Sequence, residues 1–134
     1  MKKRNRKGSS LVETVVGAIF IIPIALFLLD VASIVICQTQ NDALAKHCAR
    51  AAANQDSSGK AQGAVDDVVS EFQKSGGGSK ICLFNKASMD YTAAQVLVKT
   101  EVTCNFPVPI PFGPGYMNFS AEATEPVIAD VPPP

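Results

Sequence analysis

The sequence predicts an α+β fold, with a long N-terminal transmembrane helix that continues into a small extracytoplasmic domain with a short helix and a three-stranded antiparallel sheet. Three observations predict it. No charged residue occurs between residues 14 and 29. A later stretch has the apolar periodicity of an amphipathic helix. The C-terminal half contains segments in which apolar and polar residues alternate, as in strands with one buried face.

A basic leader, residues 1–8, precedes the apolar run and carries five cations without an acid. Apart from Asp30, the apolar character continues to Cys37. Residues 14–36 are therefore long enough, as an α-helix, to cross a hydrocarbon core of roughly 30 Å. Cations before a span favour a cytoplasmic N terminus. We expect a single-pass protein of the cytoplasmic membrane with its C-terminal domain outside.

A cleaved secretory signal peptide also begins with cations and an apolar run, and residues 43–45 offer small side chains for a cleavage site. The apolar regions of such peptides are about 7–15 residues long. Here the run is longer, contains Asp30 and ends well before residue 43. The pattern therefore favours a membrane anchor over this signal peptide.

The junction between leader and apolar run has a specific spacing, because Glu13 is the fifth residue after Gly8. This spacing resembles the processing site of type IV prepilins, in which a prepilin peptidase cuts after a glycine. The resemblance implies cleavage between Gly8 and Ser9 and an assembly role for Glu13, whose carboxylate needs a partner near the apolar region, such as a neighbouring subunit's new α-amino group. Ser10 and Glu13 also fit a helix capping box, a local alternative for the same residues.

Further residues narrow the resemblance. They are Pro23 within the apolar run, Asp30 after two leucines, and the alanine-rich residues 41–53. With the junction, they make the first 53 residues resemble TadE-like pseudopilins of tight-adherence pilus systems, although this chain has Val31 where the family commonly has an aromatic residue. The resemblance implies a minor pilin or assembly subunit of a Flp-type pilus or related secretion apparatus. Its partners would be a prepilin peptidase, other pilins or pseudopilins, the inner-membrane assembly platform and membrane lipid.

Asp30 lies near the outer end of the predicted span. We expect it either to reach interfacial water or to face other subunits or assembly proteins, since an acid near the edge costs less than one at the centre. The helix is predicted to continue, because residues 38–53 contain neither proline nor glycine. Spacings of three and four residues define a packing stripe: Ile34, Cys37, Asn41, Leu44, Cys48 and Ala51. This stripe packs either on the chain's own outer domain or on neighbouring subunits.

The chain thus divides into the leader, a transmembrane and stalk helix over residues 9–53, an extracytoplasmic α+β domain over residues 54–131 and a disordered proline tail over residues 132–134. Within the α+β domain, a polar break precedes a helix over residues 61–72. Alternation predicts strands at residues 80–84, 95–106 and 117–127.

A proline-rich loop, residues 107–115, joins the last two predicted strands. Proline fixes the backbone φ angle, so this loop is expected to be stiff and partly extended. Ile110 and Phe112 make it either a docking tip or a rigid turn folded back on the sheet.

An outer domain of roughly 80 residues has a small core, and such domains often need a covalent link. Cys82 and Cys104 fall in predicted strands outside the cytoplasm, which favours a disulfide between them. Cys37 and Cys48 lie on one helix about 16 Å apart, too far to bridge each other. We expect Cys37 at the membrane edge and Cys48 either buried or paired elsewhere.

Catalysis and cofactor binding find no support in the sequence. His47, the only histidine, is adjacent to Cys48, but neighbouring residues of a helix do not face each other. No Cys-x-x-Cys pair or histidine cluster indicates a metal. Loss of the leader would leave 7 basic side chains against 12 acidic ones, which disfavours nucleic acid. The alternative to a pseudopilin is an uncleaved, single-span membrane-anchored binding module.

Overall fold

A computed structural model of the chain describes residues 6–77, 80–108 and 113–128. It confirms the predicted α+β class: a long apolar helix, a short helix and a three-stranded antiparallel sheet. The elements in chain order are helix α1 (Arg6–Ala53), helix α2 (Ser58–Phe72), a π-helical turn (Gln73–Gly77) and strands β1 (Cys82–Tyr91), β2 (Gln95–Asn105) and β3 (Tyr116–Pro126). The predicted loop tip, with Ile110 and Phe112, and the proline tail lie outside the described residues.

The sheet has the order β1-β2-β3, with both pairs antiparallel and β2 in the centre. Every second residue of β2 is fully buried, as the alternation predicts: Val96, Val98, Thr100, Val102 and Cys104. The opposite face of the sheet carries the ion pairs Lys86–Glu101 and Lys99–Glu122. One face of the sheet therefore packs against the helices, and the other is polar.

Strand β1 is longer than predicted, running from Cys82 to Tyr91 instead of ending near residue 84. Its pairing with β2 shifts by one residue between Phe84 and Lys86. A bulge of this kind moves the inward-facing positions from even to odd residues, and the partial burial of Ala87 and Met89 follows that change. The part of the strand after Phe84 was missed because the bulge breaks the period of two on which the prediction depends.

The packing stripe of α1 lies on the chain's own sheet and on α2, which resolves the alternative left open by the sequence. Cys37, Asn41, Leu44 and Cys48 are all buried, and Ile34 is half-buried. Helix α1 contacts β2, β3 and α2, while α2 also contacts β1. The main core cluster combines Leu44, Cys48, Ala49 and Ala52 of α1, Ala61 and Val65 of α2, and Val96 and Val98 of β2.

The C-terminal end of α1 is held by the segments that surround it. The backbone N–H of Ile128, just after β3, donates to the Ala53 carbonyl at 3.1 Å. The Tyr91 hydroxyl donates to the Gln55 carbonyl at 2.8 Å. The last carbonyls of a helix have no partners within it, so the Ile128 bond satisfies the Ala53 carbonyl, and the Tyr91 bond holds the residues that follow the helix.

The N-terminal part of α1 has no such packing. From Leu11 to Leu29 the large apolar side chains are exposed, from 38% at Leu26 to 67% at Phe20. This part of the helix is roughly 28 Å long at 1.5 Å per residue, close to the hydrocarbon thickness of a bilayer. Helix α1 is long and apolar enough to cross a membrane. Pro23 lies inside it and removes one backbone hydrogen bond.

Candidate functional site

The candidate functional site extends along α1, from the predicted processing site to the point where the helix meets the sheet. The Gly8–Ser9 bond lies close to the start of the helix at Arg6, where backbone N–H groups have no helical partner. Ser10 is inside α1 and its carbonyl accepts the Thr14 hydroxyl at 2.9 Å. Ser10 is therefore not the N-cap, and the capping-box interpretation is wrong for the full-length chain.

Glu13 lies on the exposed surface of α1. It makes no hydrogen bond or ion pair with any side chain that the structure describes. Its neighbours Leu11, Val12 and Val16 are large, apolar and exposed. A carboxylate thus stands on an apolar helix surface without a partner in the described part of the chain.

Asp30 is covered by the chain itself, which neither sequence-based alternative anticipated. It is only 3% exposed, and its Oδ1 atom accepts a hydrogen bond of 3.2 Å from the backbone N–H of Val108. The segment after β2 therefore reaches back over the helix. The interpretation that Asp30 contacts interfacial water is wrong for this structure, and its assembly role stays a prediction. Contact with the sheet begins inside the predicted span of residues 14–36.

Three cysteines meet about two turns of helix beyond Asp30. Cys37 of α1, Cys82 of β1 and Cys104 of β2 form a buried cluster with Val102. The Cys37 thiol donates to the Ile81 carbonyl at 3.6 Å, and the Cys104 thiol donates to the Ser33 carbonyl at the same distance. Cys37 therefore packs in the core of the outer domain, and its place at the membrane edge stays a prediction.

The predicted disulfide partners, Cys82 and Cys104, are directly opposite each other in the β1–β2 pairing. The adjacent bond from the Asn105 N–H to the Ile81 carbonyl, at 2.7 Å, marks 81 and 105 as a hydrogen-bonded pair. Residues 82 and 104 are then a non-hydrogen-bonded pair, whose Cα atoms are about 4.5 Å apart. The cysteines are thiols in the structure, and burial raises the pKa of Cys82. Their disulfide stays a prediction.

A buried polar contact fixes the height of α1 on the sheet. The Thr100 hydroxyl donates to Asn41 Oδ1 at 2.7 Å, and Asn41 Nδ2 donates to the Thr100 and Phe119 carbonyls at 3.5 and 3.4 Å. Both side chains are almost fully buried. Sequence analysis placed Asn41 and Thr100 each in an apolar stripe but did not pair them. The signal for the pair was the presence of one polar residue in each of the two stripes.

A groove of about 560 Å³ lies between α1 and α2. Its lining residues are Gln40, Ala43, Leu44, His47, Ala51, Val68, Glu71, Phe72 and Ser75. The Gln40 Oε1 atom is buried there, and no residue within the described ranges donates a hydrogen bond to it. His47 lines this groove, whereas Cys48 packs in the core, so these two sequence neighbours face different surroundings.

These features define a class of protein: an α+β chain with one candidate membrane-spanning helix near its N terminus, whose second half packs on a three-stranded sheet. No protein-family model, curated protein or solved structure matches the chain. Within residues 6–77, 80–108 and 113–128, no group of three or more histidine, cysteine, aspartate or glutamate side chains has the arrangement of a metal site.

Proposed function

We propose that this chain is a TadE-like minor pilin or pseudopilin, processed between Gly8 and Ser9 by a prepilin peptidase. After processing it takes part in assembly of a tight-adherence, Flp-type pilus or a related secretion apparatus. The observation that carries the proposal is Glu13: it is the fifth residue after Gly8, and on the exposed apolar surface of the helix it has no partner among the described residues.

The energetic argument concerns this carboxylate. An acid on the lipid-facing surface of a span is costly unless it is paired or reaches the interface. Cleavage after Gly8 removes the leader cations and creates an α-amino group at Ser9. When subunits pack through α1, that amine on one subunit can pair with Glu13 of the next, and removing one partner of such a pair is strongly destabilising. Glu13 would thereby fix the register between neighbouring helices.

The exposed half of α1 supports the same proposal. Its large apolar side chains, from Leu11 to Leu29, are exposed and are not covered by any other part of the chain that the structure describes. Lipid would cover them before assembly, and neighbouring subunits afterwards, since both remove apolar surface from water. The basic leader favours a cytoplasmic N terminus, which places the sheet and α2 outside the cytoplasmic membrane. The proposed partners are the peptidase, other pilins or pseudopilins and the inner-membrane assembly platform.

A second candidate is an uncleaved, membrane-anchored binding module. The groove between α1 and α2 favours it, because its volume is within the range of small-molecule pockets. In that function α1 would be an anchor only, and the leader would stay attached.

Intact-mass measurement of the membrane-expressed protein, with and without a co-expressed prepilin peptidase, separates the two. We expect loss of residues 1–8 only when the peptidase is present. Gly8→Ala should block this loss. Gly17→Ala is the matched control, because a methyl group at that position meets no atom within 4 Å and the variant should be processed normally.

An unchanged full-length mass in the presence of an active peptidase would exclude the pseudopilin proposal. The anchored binding module would then be the better account. Cleavage that persists in Gly8→Ala, or a cut at another bond, would also contradict the proposed processing site.

A further inference from the structure

We propose that the oxidised protein carries a disulfide between Cys37 of α1 and Cys104 of β2, which ties the helix to the sheet where the two first meet. In the cell this rests on the proposed function, since the cysteines must face an oxidising compartment. It differs from the disulfide predicted from the sequence, which joins two strands of the sheet.

The positions of the sulfur atoms carry the proposal. The Cys37, Cys82 and Cys104 thiols lie in one buried cluster, to which the helix contributes Cys37 and the sheet contributes the other two. The Cys104 thiol is directed at α1, because it donates to the Ser33 carbonyl, and Ser33 is one helical turn before Cys37 on the buried face. Cys104 therefore already points at the helix that would supply its partner.

The competing bond, between Cys82 and Cys104, would join two strands that already pair with each other. Its Cα separation of about 4.5 Å also lies within the range of disulfides. We favour Cys37 because the Cys104 thiol donates toward α1 and not toward β1. A bond from Cys37 approaches from the helix layer and leaves the pairing of β1 with β2 unchanged.

The chemistry requires a two-electron oxidant, for which we name the disulfide of an extracytoplasmic thiol oxidoreductase. One of the two thiols loses its proton and attacks this disulfide, giving a mixed disulfide and releasing one thiol of the oxidant. The second thiol of the chain loses its proton and displaces the oxidant's other sulfur. Cys37 and Cys104 are oxidised, and the oxidant leaves as a dithiol with both protons and both electrons. Since all four cysteines are buried in the folded chain, the bond forms before the domain closes.

The test uses the purified full-length chain in detergent, unfolded and refolded in a buffer of oxidised and reduced glutathione. Remaining thiols are alkylated, and the protein is digested with trypsin without reduction. Lysine and arginine positions place the four cysteines on four separate peptides, residues 8–46, 47–50, 81–86 and 100–134. Mass spectrometry then identifies which peptides are linked.

We expect residues 8–46 linked to residues 100–134, with the other two peptides alkylated. Cys48→Ser and Cys82→Ser should keep this link, and Cys37→Ser should abolish it. A link between residues 81–86 and 100–134 in the unaltered chain, a link between residues 8–46 and 81–86, or four alkylated peptides would overturn the proposal. Because the oxidant is supplied in vitro, the outcome depends neither on cellular location nor on cleavage after Gly8.

Discussion

The two halves of α1 belong to one uninterrupted helix but have opposite surroundings. From Leu11 to Leu29 the helix exposes large apolar side chains, whereas from Asp30 to Ala53 its inward face is buried under the chain's own sheet and α2. The second half uses small and polar residues, such as Ala49 and Asn41, where the first uses Leu, Ile and Phe. The two halves of α1 therefore differ in side-chain size and not in helix propensity. Small residues let the sheet approach the second half closely, whereas large residues give the first half an apolar surface for lipid or neighbouring subunits.

The largest effect is expected from truncating one apolar residue in the buried half of α1, and the comparison is the same truncation in the exposed half. Leu44→Ala should lower the free energy of unfolding of the sheet and α2 by about 2–5 kcal/mol, because it leaves a cavity in the core. Ile24→Ala, at a side chain that is 60% exposed, should change it by less than about 0.5 kcal/mol. Urea titration in detergent micelles, followed by alkylation of buried Cys48, measures both. Equal losses in the two variants would contradict the division of the helix.

A smaller effect is expected at the buried contact between Asn41 and Thr100. Asn41→Leu or Thr100→Val should each cost about 1–3 kcal/mol, since either leaves a buried polar group without its partner. The free energy of unfolding lost in the double variant should be smaller than the sum of the losses in the two single variants, by about 0.5–3 kcal/mol. The urea titration with alkylation of Cys48 measures these three losses.

The outer face of the sheet supplies a matched control for the substitutions at Asn41 and Thr100. Thr103 donates to Asn118 at 2.7 Å, the same distance as in the buried pair, but in an exposed position. Thr103→Val should cost less than about 0.5 kcal/mol, because water can satisfy the remaining partners, Asn85 and Asn118. An equal cost at Thr100 and Thr103 would show that burial is not the reason for the larger effect.

The smallest expected effect concerns the boundary between the halves. Asp30→Ala removes the acceptor for the Val108 N–H and should speed hydrogen exchange of that amide about tenfold, the equivalent of about 1.4 kcal/mol. Asp30→Asn keeps a carbonyl oxygen at the same position and should change the rate much less. Amide exchange resolved at Val108 measures both. Equal exchange rates in the Asp30→Ala and Asp30→Asn variants would mean that the hydrogen bond to Asp30 does not hold the segment around Val108 on the helix.

Much of the fold could be predicted because its signals are local. The period of two in β2 and β3 and the apolar length of α1 each lie within one segment of sequence. Strand β1 was predicted short because the bulge between Phe84 and Lys86 reverses the alternation. A bulge depends on pairing with another strand, which a pattern within one strand does not contain.

The site was less predictable because its contacts join distant segments. Cys82 and Cys104 were placed together through their strands, but the arrival of Cys37 depends on how far along the sheet the helix lies, which Asn41 and Thr100 fix. The contact of Asp30 uses a backbone N–H of Val108, and any residue except proline supplies that donor. Side-chain chemistry in the sequence therefore could not identify it.

The close attachment of α1 to the sheet also has a mechanical consequence. Because contacts follow the helix from Asp30 to the end at Ala53, there is no linker between the apolar half and the sheet. A tilt adopted by the apolar half is transmitted to the sheet as a change in its orientation, with Pro23 as the place where the helix can bend. An interaction that fixes the orientation of the N-terminal half therefore also sets the direction in which the polar face of the sheet points.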